Sequence, residues 1–225
     1  QAIHRYFHEN RFYYIHTPLI TASDCEGAGE MFRVTTQPWN AAYDSEEAYY
    51  KEDFFGRKAG LSVSGQLEGE VAAMALGRIY TFGPSFRAEN SNTTRHLAEF
   101  WHVEPEIAFA ELPEVMEVAE GMIKYVVRAV LEECPAEMDF FERFVENGLK
   151  AKLSNIVESS FAVLDYTDAI GLLKKADVKF QFPVEWGCDL QTEHEKYITE
   201  QVYRKPVFVV NYPKEIKSFY MKQNA

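Results

Sequence analysis

The sequence predicts an α+β fold with a mainly antiparallel sheet flanked by helices. Two strand patterns, residues 78–89 and 99–109, enclose a short polar loop, which is typical of an antiparallel hairpin. Helical patterns separate the more distant strand patterns, and this combination is typical of the α+β class. Of the 225 residues, 47% are hydrophobic, enough to bury a sizeable core in one large domain.

The first half of the chain mixes short patterns of both kinds. Residues 1–10 are predicted to form a helix, and residues 11–21 a strand that Pro18 ends. The rest of this half is predicted to contain an irregular, acidic excursion at residues 37–60, a short strand at 60–67 and a helix that ends near Gly77.

The second half is predicted to be mainly helical. Apolar residues recur at helical spacing over residues 113–133, and residues 136–175 are expected to be helical as well. Thr192 and Glu195 have the spacing of a capping box and predict the start of another helix. Residues 206–213 predict a short buried strand.

Composition limits the classes of function. A net charge of −12 argues against a protein that wraps nucleic acid, because such binding depends on many lysine and arginine contacts to phosphate. The three cysteines are far apart and favour a reducing cytoplasm over a disulfide scaffold. No apolar run has the length of a membrane span. Because Gln1 opens directly on a helical pattern, we expect the chain to be part of a longer protein.

The predicted hairpin carries charges of both signs. Alternation along a strand places Arg87 and Glu89 on one face, and Phe100 and His102 on the face of Glu104. Charges at the tip of a hairpin are often simply solvated, and that interpretation stays open. A face that combines arginine, glutamate, histidine and an aromatic ring also suits the floor of a polar cleft.

The residue types near the tip suit nucleotide chemistry. Arg87, Arg95 and His96 have side chains that can hold phosphates, and arginine is suited to bidentate contact with phosphate oxygens. Phe100 can stack on a purine, and the glutamates can hold an amino group. The hairpin therefore predicts a site for a nucleotide and an amine.

Several stretches of the sequence, in order, resemble the motifs of a known family. "FRAENSNTTRHLAEF" is similar to motif 2 of the class II aminoacyl-tRNA synthetases of the aspartyl, asparaginyl and lysyl subgroup, and most closely to the bacterial asparaginyl members. "HRYFHENRFYYIHTPLIT" resembles motif 1, and "SDCEGAGEMF" resembles the mobile loop that closes over the amino acid. The same order continues through "DFFGRKAGLSVSGQLEGE", "WGCDLQTEHEKYIT" and "NYPKEIKSFYMK". Only residues 37–50 and 135–160 match weakly.

The resemblance implies roles for the residues of a nucleotide site. Arg87 would contact the α-phosphate of ATP and stabilise the transition state, and Glu89 would lie near ATP and the acceptor end of tRNA. Arg95 and His96 would hold the β- and γ-phosphates of a bent ATP. Phe100 would stack on adenine.

The resemblance also implies an amino-acid site. Glu26, Gln66 and Glu104 would surround the ammonium and backbone of the amino acid, with Ser64 nearby. Each assignment has an alternative from the residues alone. Glu104 can pair with a core arginine, and Ser64 can be a strand-end hydroxyl bonded to backbone. The Gln66 amide needs a polar partner if it is buried.

The implied activity is that of an asparagine–tRNA ligase. It would convert asparagine and ATP to asparaginyl-adenylate, and would then transfer asparagine to the 3′ end of tRNA(Asn). Motif 1 implies a homodimer, and we expect a cytoplasmic protein that does not enter membranes. The resemblance places the ligands of Mg²⁺ beyond residue 225.

The resemblance implies an incomplete catalytic domain. Residues 1–225 would be the part that contains motifs 1 and 2, with a helical excursion at roughly 112–175. Motif 3 and the N-terminal anticodon-binding domain would lie outside this sequence, so we expect this portion alone to be inactive. The same stretch also leaves open an aspartyl enzyme of the subgroup or a tRNA-independent, asparagine synthetase-like paralogue. Gly69 stands where the aspartyl pattern has a lysine, which favours a neutral amide substrate over aspartate.

Overall fold

The computed structural model describes residues 1–24, 31–90 and 96–224. The chain divides into two compact units, which we call the hairpin unit (Phe7–Ala110) and the helical unit (Gln1–Tyr6 with Glu111–Ala225). Helix α1 (Ala2–Glu9) contributes residues to both units. Both units combine helices with strands, and the predicted α+β class is confirmed.

The hairpin unit contains two small sheets. Its elements after α1 are β1 (Tyr13–Tyr14), β2 (Ile20–Thr21), β3 (Arg33–Val34), α2 (Glu46–Lys51), β4 (Ala59–Leu61), α3 (Gln66–Leu76), β5 (Arg78–Phe86) and β6 (Glu99–Ile107). The first sheet has the order β1-β5-β6, with β1 parallel and β6 antiparallel to β5. The second sheet has the order β2-β4-β3 and is antiparallel.

Strands β5 and β6 form the long hairpin that the sequence predicts, although each contains a proline. The Arg87 amide donates to the Ala98 carbonyl at 3.0 Å. Arg87 and every second residue before it therefore direct their backbone groups toward the partner strand. By the alternation of an antiparallel pair, the backbone nitrogens of Pro84 and Pro105 face away from the partner. Neither proline therefore removes a hydrogen bond from the hairpin.

Aromatic rings form the core of the hairpin unit between α1 and β5. Phe7 is fully buried and stacks on Tyr80, with the ring centroids 4.4 Å apart. Phe12 meets Phe7 edge to face at 5.1 Å, and Ile79 and Val63 are buried as well. This core holds the start of β5 and therefore fixes the position of the hairpin that follows.

The helical unit surrounds a two-stranded parallel sheet. Its elements are α4 (Leu112–Glu133), α5 (Pro135–Phe144), α6 (Leu149–Glu158), β7 (Ala162–Asp165), α7 (Tyr166–Lys174), α8 (Thr192–Lys196), a π-helical turn (Tyr197–Val202), β8 (Val207–Val210) and a 3₁₀ turn (Lys214–Ile216). Leu164 of β7 packs with Ala169, Leu173 and Ile198 in the core of this unit.

The structure corrects two predictions about strands in the hairpin unit. Residues 11–21 do not form one strand, because the chain leaves β5 after the Ile15 amide donates to the Tyr80 carbonyl at 2.9 Å. Beyond Pro18 the chain pairs with β4 instead, as β2. The strand predicted at residues 60–67 is shorter than expected. Strand β4 ends at Leu61, a turn follows, and α3 begins at Gln66.

Two further predictions were wrong about where helix occurs. The excursion at 37–60 contains α2, which Ser45 caps by accepting a hydrogen bond from the Ala48 amide at 3.1 Å. Residues 136–175 are not helical throughout, since β7 interrupts them. The apolar stretch of β7 pairs in parallel with β8, and this distant partner decides its conformation.

The predicted capping box of α8 is displaced by one residue. Gln191 is the N-cap, and His194 rather than Glu195 completes the box, because the Gln191 amide donates to His194 Nδ1 at 3.1 Å. His194 is 1% exposed, whereas Glu195 is on the exposed side of the helix start. The buried position of His194 therefore sets the start of the helix.

Candidate active site

One face of the β5–β6 hairpin gathers the polar residues of the site. Directly opposed residues of an antiparallel pair point to the same face, and the register pairs Thr81 with Glu104 and Ser85 with Phe100. We call this surface the polar face. It carries Thr81, Ser85, Arg87, Phe100, His102, Glu104 and Glu106.

Glu104 is the centre of the polar face. Its Oε1 accepts a hydrogen bond from the Ser64 hydroxyl. Its Oε2 accepts one from the Thr81 hydroxyl at 2.9 Å and one from the Gly65 amide at 3.1 Å. The side chain is only 13% exposed, so these donors replace water around the carboxylate. Its partners are hydroxyls and an amide instead of a core arginine.

The turn between β4 and α3 brings Ser64 to Glu104. The Ser64 side chain is buried, and its hydroxyl also accepts a hydrogen bond from the Gln66 amide at 3.1 Å. The serine therefore bonds both to backbone, which was the alternative interpretation, and to the carboxylate of the site. Gly65 follows Ser64. Because it has no side chain, its backbone amide can approach Glu104 closely.

Gln66 follows Gly65, whose backbone amide reaches Glu104, but the side-chain amide of Gln66 is directed elsewhere. Gln66 is the first residue of α3, and its Nε2 donates to Glu70 Oε1 of the same helix at 2.9 Å. The side chain is half-buried. The structure thus brings Ser64 and Glu104 together, and it pairs Gln66 with an acid one helical turn away.

The other end of the polar face is cationic and aromatic. The guanidinium of Arg87 lies over the Phe100 ring, 5.5 Å from its centroid. Arg87 Nε and Nη2 are each 3.4 Å from the Val63 carbonyl oxygen, which anchors the side chain to the segment before α3. A planar cation is therefore held on an aromatic ring at the open end of the hairpin.

The remaining candidates lie toward the tip of the hairpin or outside the described residues. Glu89 and His96 are exposed on either side of the tip. Glu26 and Arg95, which the resemblance assigns to the amino acid and to the phosphates, lie outside the described residues.

The polar face also contains an unusual carboxyl group that sequence reasoning missed. The pKa of Glu106 is raised to about 7 from an ordinary 4.5, mainly by burial and in addition by the neighbouring carboxylates Glu70 and Glu104. Helix α3 buries Glu106, because a Cβ at Gly69 would stand only 3.5 Å from Glu106 Cγ. The alternation of β6 was the available signal, since it places Glu106 on the face of Glu104.

A cavity adjoins Glu104 on the side of the chain segment between β1 and β2. Its lining mixes polar and apolar residues and includes two glycines. The lining residues are Ile15, His16, Thr17, Leu19, Ser62, Gly65, Thr81, Phe82, Gly83, Pro84, Ser85 and Glu104. The cavity therefore leaves space for a small ligand beside the carboxylate.

Two features are absent from the part of the chain that the structure describes. Within residues 1–24, 31–90 and 96–224, no three or more His, Cys, Asp or Glu side chains are grouped to hold a metal ion. In the same ranges no helix is long and apolar enough to cross a membrane.

The fold and this face define a class of protein. The sequence profile described as tRNA synthetases class II (D, K and N) matches residues 1–225, and the chain belongs to this family. It is 58% identical to an asparagine–tRNA ligase of Clostridium novyi (strain NT), with 99% of this chain and 49% of that protein aligned. It is 59% identical to an asparagine–tRNA ligase of Acetivibrio thermocellus, with 99% and 48% aligned.

A solved structure agrees with these relatives. The fold matches asparaginyl-tRNA synthetase from Pyrococcus horikoshii complexed with asparaginyl-adenylate with a TM-score of 0.79 and 33% identity. The match covers 99% of this chain and 45% of that one. The chain therefore spans about half the length of the relatives that it matches.

Proposed function

We propose that this chain belongs to an asparagine–tRNA ligase, which activates asparagine with ATP and transfers it to tRNA(Asn). One observation supports this most directly. The polar face has an arginine on an aromatic ring at one end and a buried, hydrogen-bonded carboxylate at the other. These are the groups that a nucleotide and an amino-acid ammonium require, side by side on one rigid hairpin.

The arginine end is proposed to bind ATP. Arg87 contacts the α-phosphate, and Phe100 stacks on adenine. His96 and Arg95 hold the β- and γ-phosphates, and Glu89 lies between ATP and the acceptor end of tRNA. The planar guanidinium of Arg87 suits a phosphoryl group, because it can donate two parallel hydrogen bonds to the phosphate oxygens.

The carboxylate end is proposed to bind asparagine. Glu104 accepts hydrogen bonds from the substrate ammonium, in the orientation that Ser64 and the Thr81 hydroxyl impose on it. Gln66 and Glu26 complete the surroundings of the amino acid. The ammonium is thereby held on the same face as the adenine site, which places the substrate carboxylate toward Arg87.

The first reaction joins the two substrates. A carboxylate oxygen of asparagine attacks the α-phosphorus of ATP, the bond to the β-phosphate oxygen breaks, and pyrophosphate leaves. Arg87 stabilises the negative charge that grows on the α-phosphate oxygens in the transition state. In the second reaction a hydroxyl of the terminal ribose of tRNA attacks the carbonyl of the adenylate, and AMP leaves.

Mg²⁺ is proposed as a further requirement of the complete enzyme. Within residues 1–24, 31–90 and 96–224, no three or more His, Cys, Asp or Glu side chains are grouped to hold it. By the family resemblance its ligands lie beyond residue 225.

Selection of asparagine over aspartate is proposed to depend on charge. Size cannot separate the two substrates, and an anionic side chain in a closed pocket would need a cation. Gly69 stands where the aspartyl enzymes have a lysine, and it packs against Glu106. The neighbouring charged groups Glu70 and Glu104 are acids, which disfavour a second carboxylate.

The test of this proposal is pyrophosphate exchange by the intact protein with asparagine and with aspartate at equal concentration. We expect exchange with asparagine to be faster by roughly four orders of magnitude. Comparable rates would contradict the proposed selectivity, and a preference for aspartate would support an aspartyl enzyme. Normal exchange without charging of tRNA(Asn) would point to the tRNA-independent paralogue.

A cytoplasmic homodimer is proposed as the working form. The segment of residues 4–20, an amphipathic helix followed by aromatic strands, corresponds to the interface motif of the family. Tyr13 and Tyr14 of β1 are exposed in this chain and supply apolar surface for a partner. Sedimentation of the intact protein at micromolar concentration should give twice the monomer mass, and a monomer would contradict this part of the proposal.

A further inference from the structure

His102 occupies the middle of the polar face, between the two proposed subsites. Its ring lies 5.3 Å from the Phe100 ring, measured between centroids, at an angle of 56°. On the other side, His102 Nδ1 lies 3.3 Å from Glu104 Oε1. The imidazole therefore contacts both the ring proposed to stack on adenine and the carboxylate proposed to hold the ammonium.

Two polar groups face the Nδ1 atom of His102. An Nδ1–H can donate to Glu104, because an ionised carboxylate only accepts hydrogen bonds. The same nitrogen lies 3.2 Å from the hydroxyl of Ser85, which is 2% exposed and belongs to the opposing strand. A buried serine and a carboxylate thus both lie within 3.3 Å of the same ring nitrogen.

Both carboxylate oxygens of Glu104 contact neighbouring polar groups. Oε2 accepts from the Thr81 hydroxyl and the Gly65 amide, whereas Oε1 faces the Ser64 hydroxyl and His102 Nδ1. Both carboxylate oxygens therefore have neighbours, and rotation of the carboxylate would break contacts on both sides. Among these neighbours, His102 is the one that also touches Phe100.

We propose that His102 is a positioning residue for asparagine, acting through Glu104. Its Nδ1–H holds Oε1 in the orientation that binds the substrate ammonium, and its ring keeps Phe100 at a fixed distance from that carboxylate. This inference rests on the proposed function. Loss of a group that orients the binding carboxylate should raise the KM for asparagine. It should change the rate of transfer to tRNA, which follows adenylate formation, much less.

The matched variants are His102→Asn and His102→Leu in the intact protein. The two replacements have nearly the same shape, but the asparagine Nδ2 can donate from the position of the imidazole Nδ1, and leucine cannot. In pyrophosphate exchange we expect His102→Leu to raise the KM for asparagine about tenfold, as loss of one hydrogen bond to a charged group does. His102→Asn should stay within about threefold of wild type by the same reasoning.

Trp101→Phe is the control on the same strand. Trp101 points to the opposite face, where it meets Phe82 with ring centroids 5.1 Å apart, and its replacement should leave the KM for asparagine unchanged. Thermal unfolding of each variant separates loss of fold from loss of position. If His102→Leu is unfolded, His102→Ala, which also lacks the donor, takes its place with the same expected rise in KM.

Each result has one meaning. A raised KM in the leucine variant that the asparagine variant largely restores supports the positioning role. An unchanged KM in His102→Leu, or equal impairment of both folded variants, overturns it while the proposed function stands. Wild-type protein without asparagine-dependent exchange removes the proposed function, and this inference with it.

Discussion

The two units of the molecule use carboxylates in different ways. In the helical unit, Glu193 accepts hydrogen bonds from the backbone amides of Gln181 and Phe182, at 3.0 and 2.7 Å. Those amides hold the pKa of Glu193 below its ordinary value, and the proximity of His194 adds to this. In the hairpin unit, Glu104 is held chiefly by side chains, the hydroxyls of Ser64 and Thr81 and the imidazole of His102, with one amide in addition.

This difference separates an architectural carboxylate from one suited to a ligand. Glu193 ties a loop to the start of α8, and both of its oxygens serve amides that would otherwise lack partners. Glu104 joins β6 to Thr81 of β5, which the hairpin ladder already holds, and to Ser64 and Gly65 of the turn before α3. These donors orient a charged group that borders a cavity. We expect substitutions of Glu104 and its donors to change activity, and substitution of Glu193 to change stability.

The largest expected effect is at the arginine end of the polar face. Arg87→Ala removes the cation proposed to stabilise the transition state, and loss of one preorganised contact of this kind costs about 3 kcal/mol, or at least a hundredfold in rate. Pyrophosphate exchange by the intact protein measures this. Arg78→Ala, at the exposed start of the same strand, is the control. Near-normal exchange by the Arg87 variant would remove this residue from the proposed mechanism.

A smaller loss of activity is expected when the donors of Glu104 are displaced. In Gly65→Ala the added Cβ would stand 2.7 Å from Thr17 Oγ1 and 3.3 Å from Glu104 Oε2. The added Cβ would also stand 3.1 Å from Thr81 Cγ2, so Thr17 must shift and the Thr81 donor of Glu104 is crowded. We expect about a tenfold rise in the KM for asparagine. Gly171→Ala, where an added Cβ meets nothing within 4 Å, is the matched control and should bind asparagine normally.

Glu106 offers a test through pH. Its folded pKa of about 7 exceeds the ordinary 4.5, so its neutral form stabilises the fold below pH 4.5 and this contribution is lost as pH rises to 7. The shift corresponds to about 3 kcal/mol before solvent screening, and we expect about 1 to 2 kcal/mol because the group is only partly buried. Glu106→Gln should be more stable than wild type at pH 8. Exposed Glu99→Gln should not, and equal pH profiles would contradict this account.

The smallest effect is expected at the capping carboxylates. Glu142 accepts from the amides of Lys150 and Gly148, each at 2.8 Å, and these bonds hold its pKa below 4.5. Its stabilisation is complete above pH 4.5 and is lost as pH falls through the lower folded value. Denaturant unfolding should show Glu142→Gln slightly less stable than wild type at pH 7, with the difference vanishing in acid. Altered exchange activity in this variant would contradict the expectation that Glu142 affects stability alone.

Sequence patterns were sufficient to predict the hairpin and the mixture of residue types on its polar face. Alternation along a strand depends only on neighbouring residues and can be read from the local sequence. The donors of Glu104 were harder to predict. Ser64 was a candidate from the resemblance, but Thr81 and the Gly65 amide reach the carboxylate only after β5 and the turn before α3 are assembled. The raised pKa of Glu106 likewise requires burial by α3, which no local pattern contains.

The missed elements follow the same rule. Strand β7 lies between helical patterns, and its partner β8 is about forty residues further on, so a local window favoured helix. At α8 the choice between His194 and Glu195 depended on which one became buried against Phe180, with ring centroids 4.9 Å apart. Tertiary contacts, which the sequence does not display, decided both cases.

The most direct test compares the two kinds of carboxylate in one assay. Asparagine-dependent pyrophosphate exchange and thermal unfolding are measured for the intact protein and for its Glu104→Gln and Glu193→Gln variants. We predict that Glu104→Gln loses about a hundredfold in exchange while it unfolds near the wild-type temperature, because a charge at the site is gone and the hairpin remains. We predict that Glu193→Gln unfolds at a lower temperature but keeps wild-type exchange while folded. Full activity in Glu104→Gln, or equal loss of activity in both variants, would contradict the account.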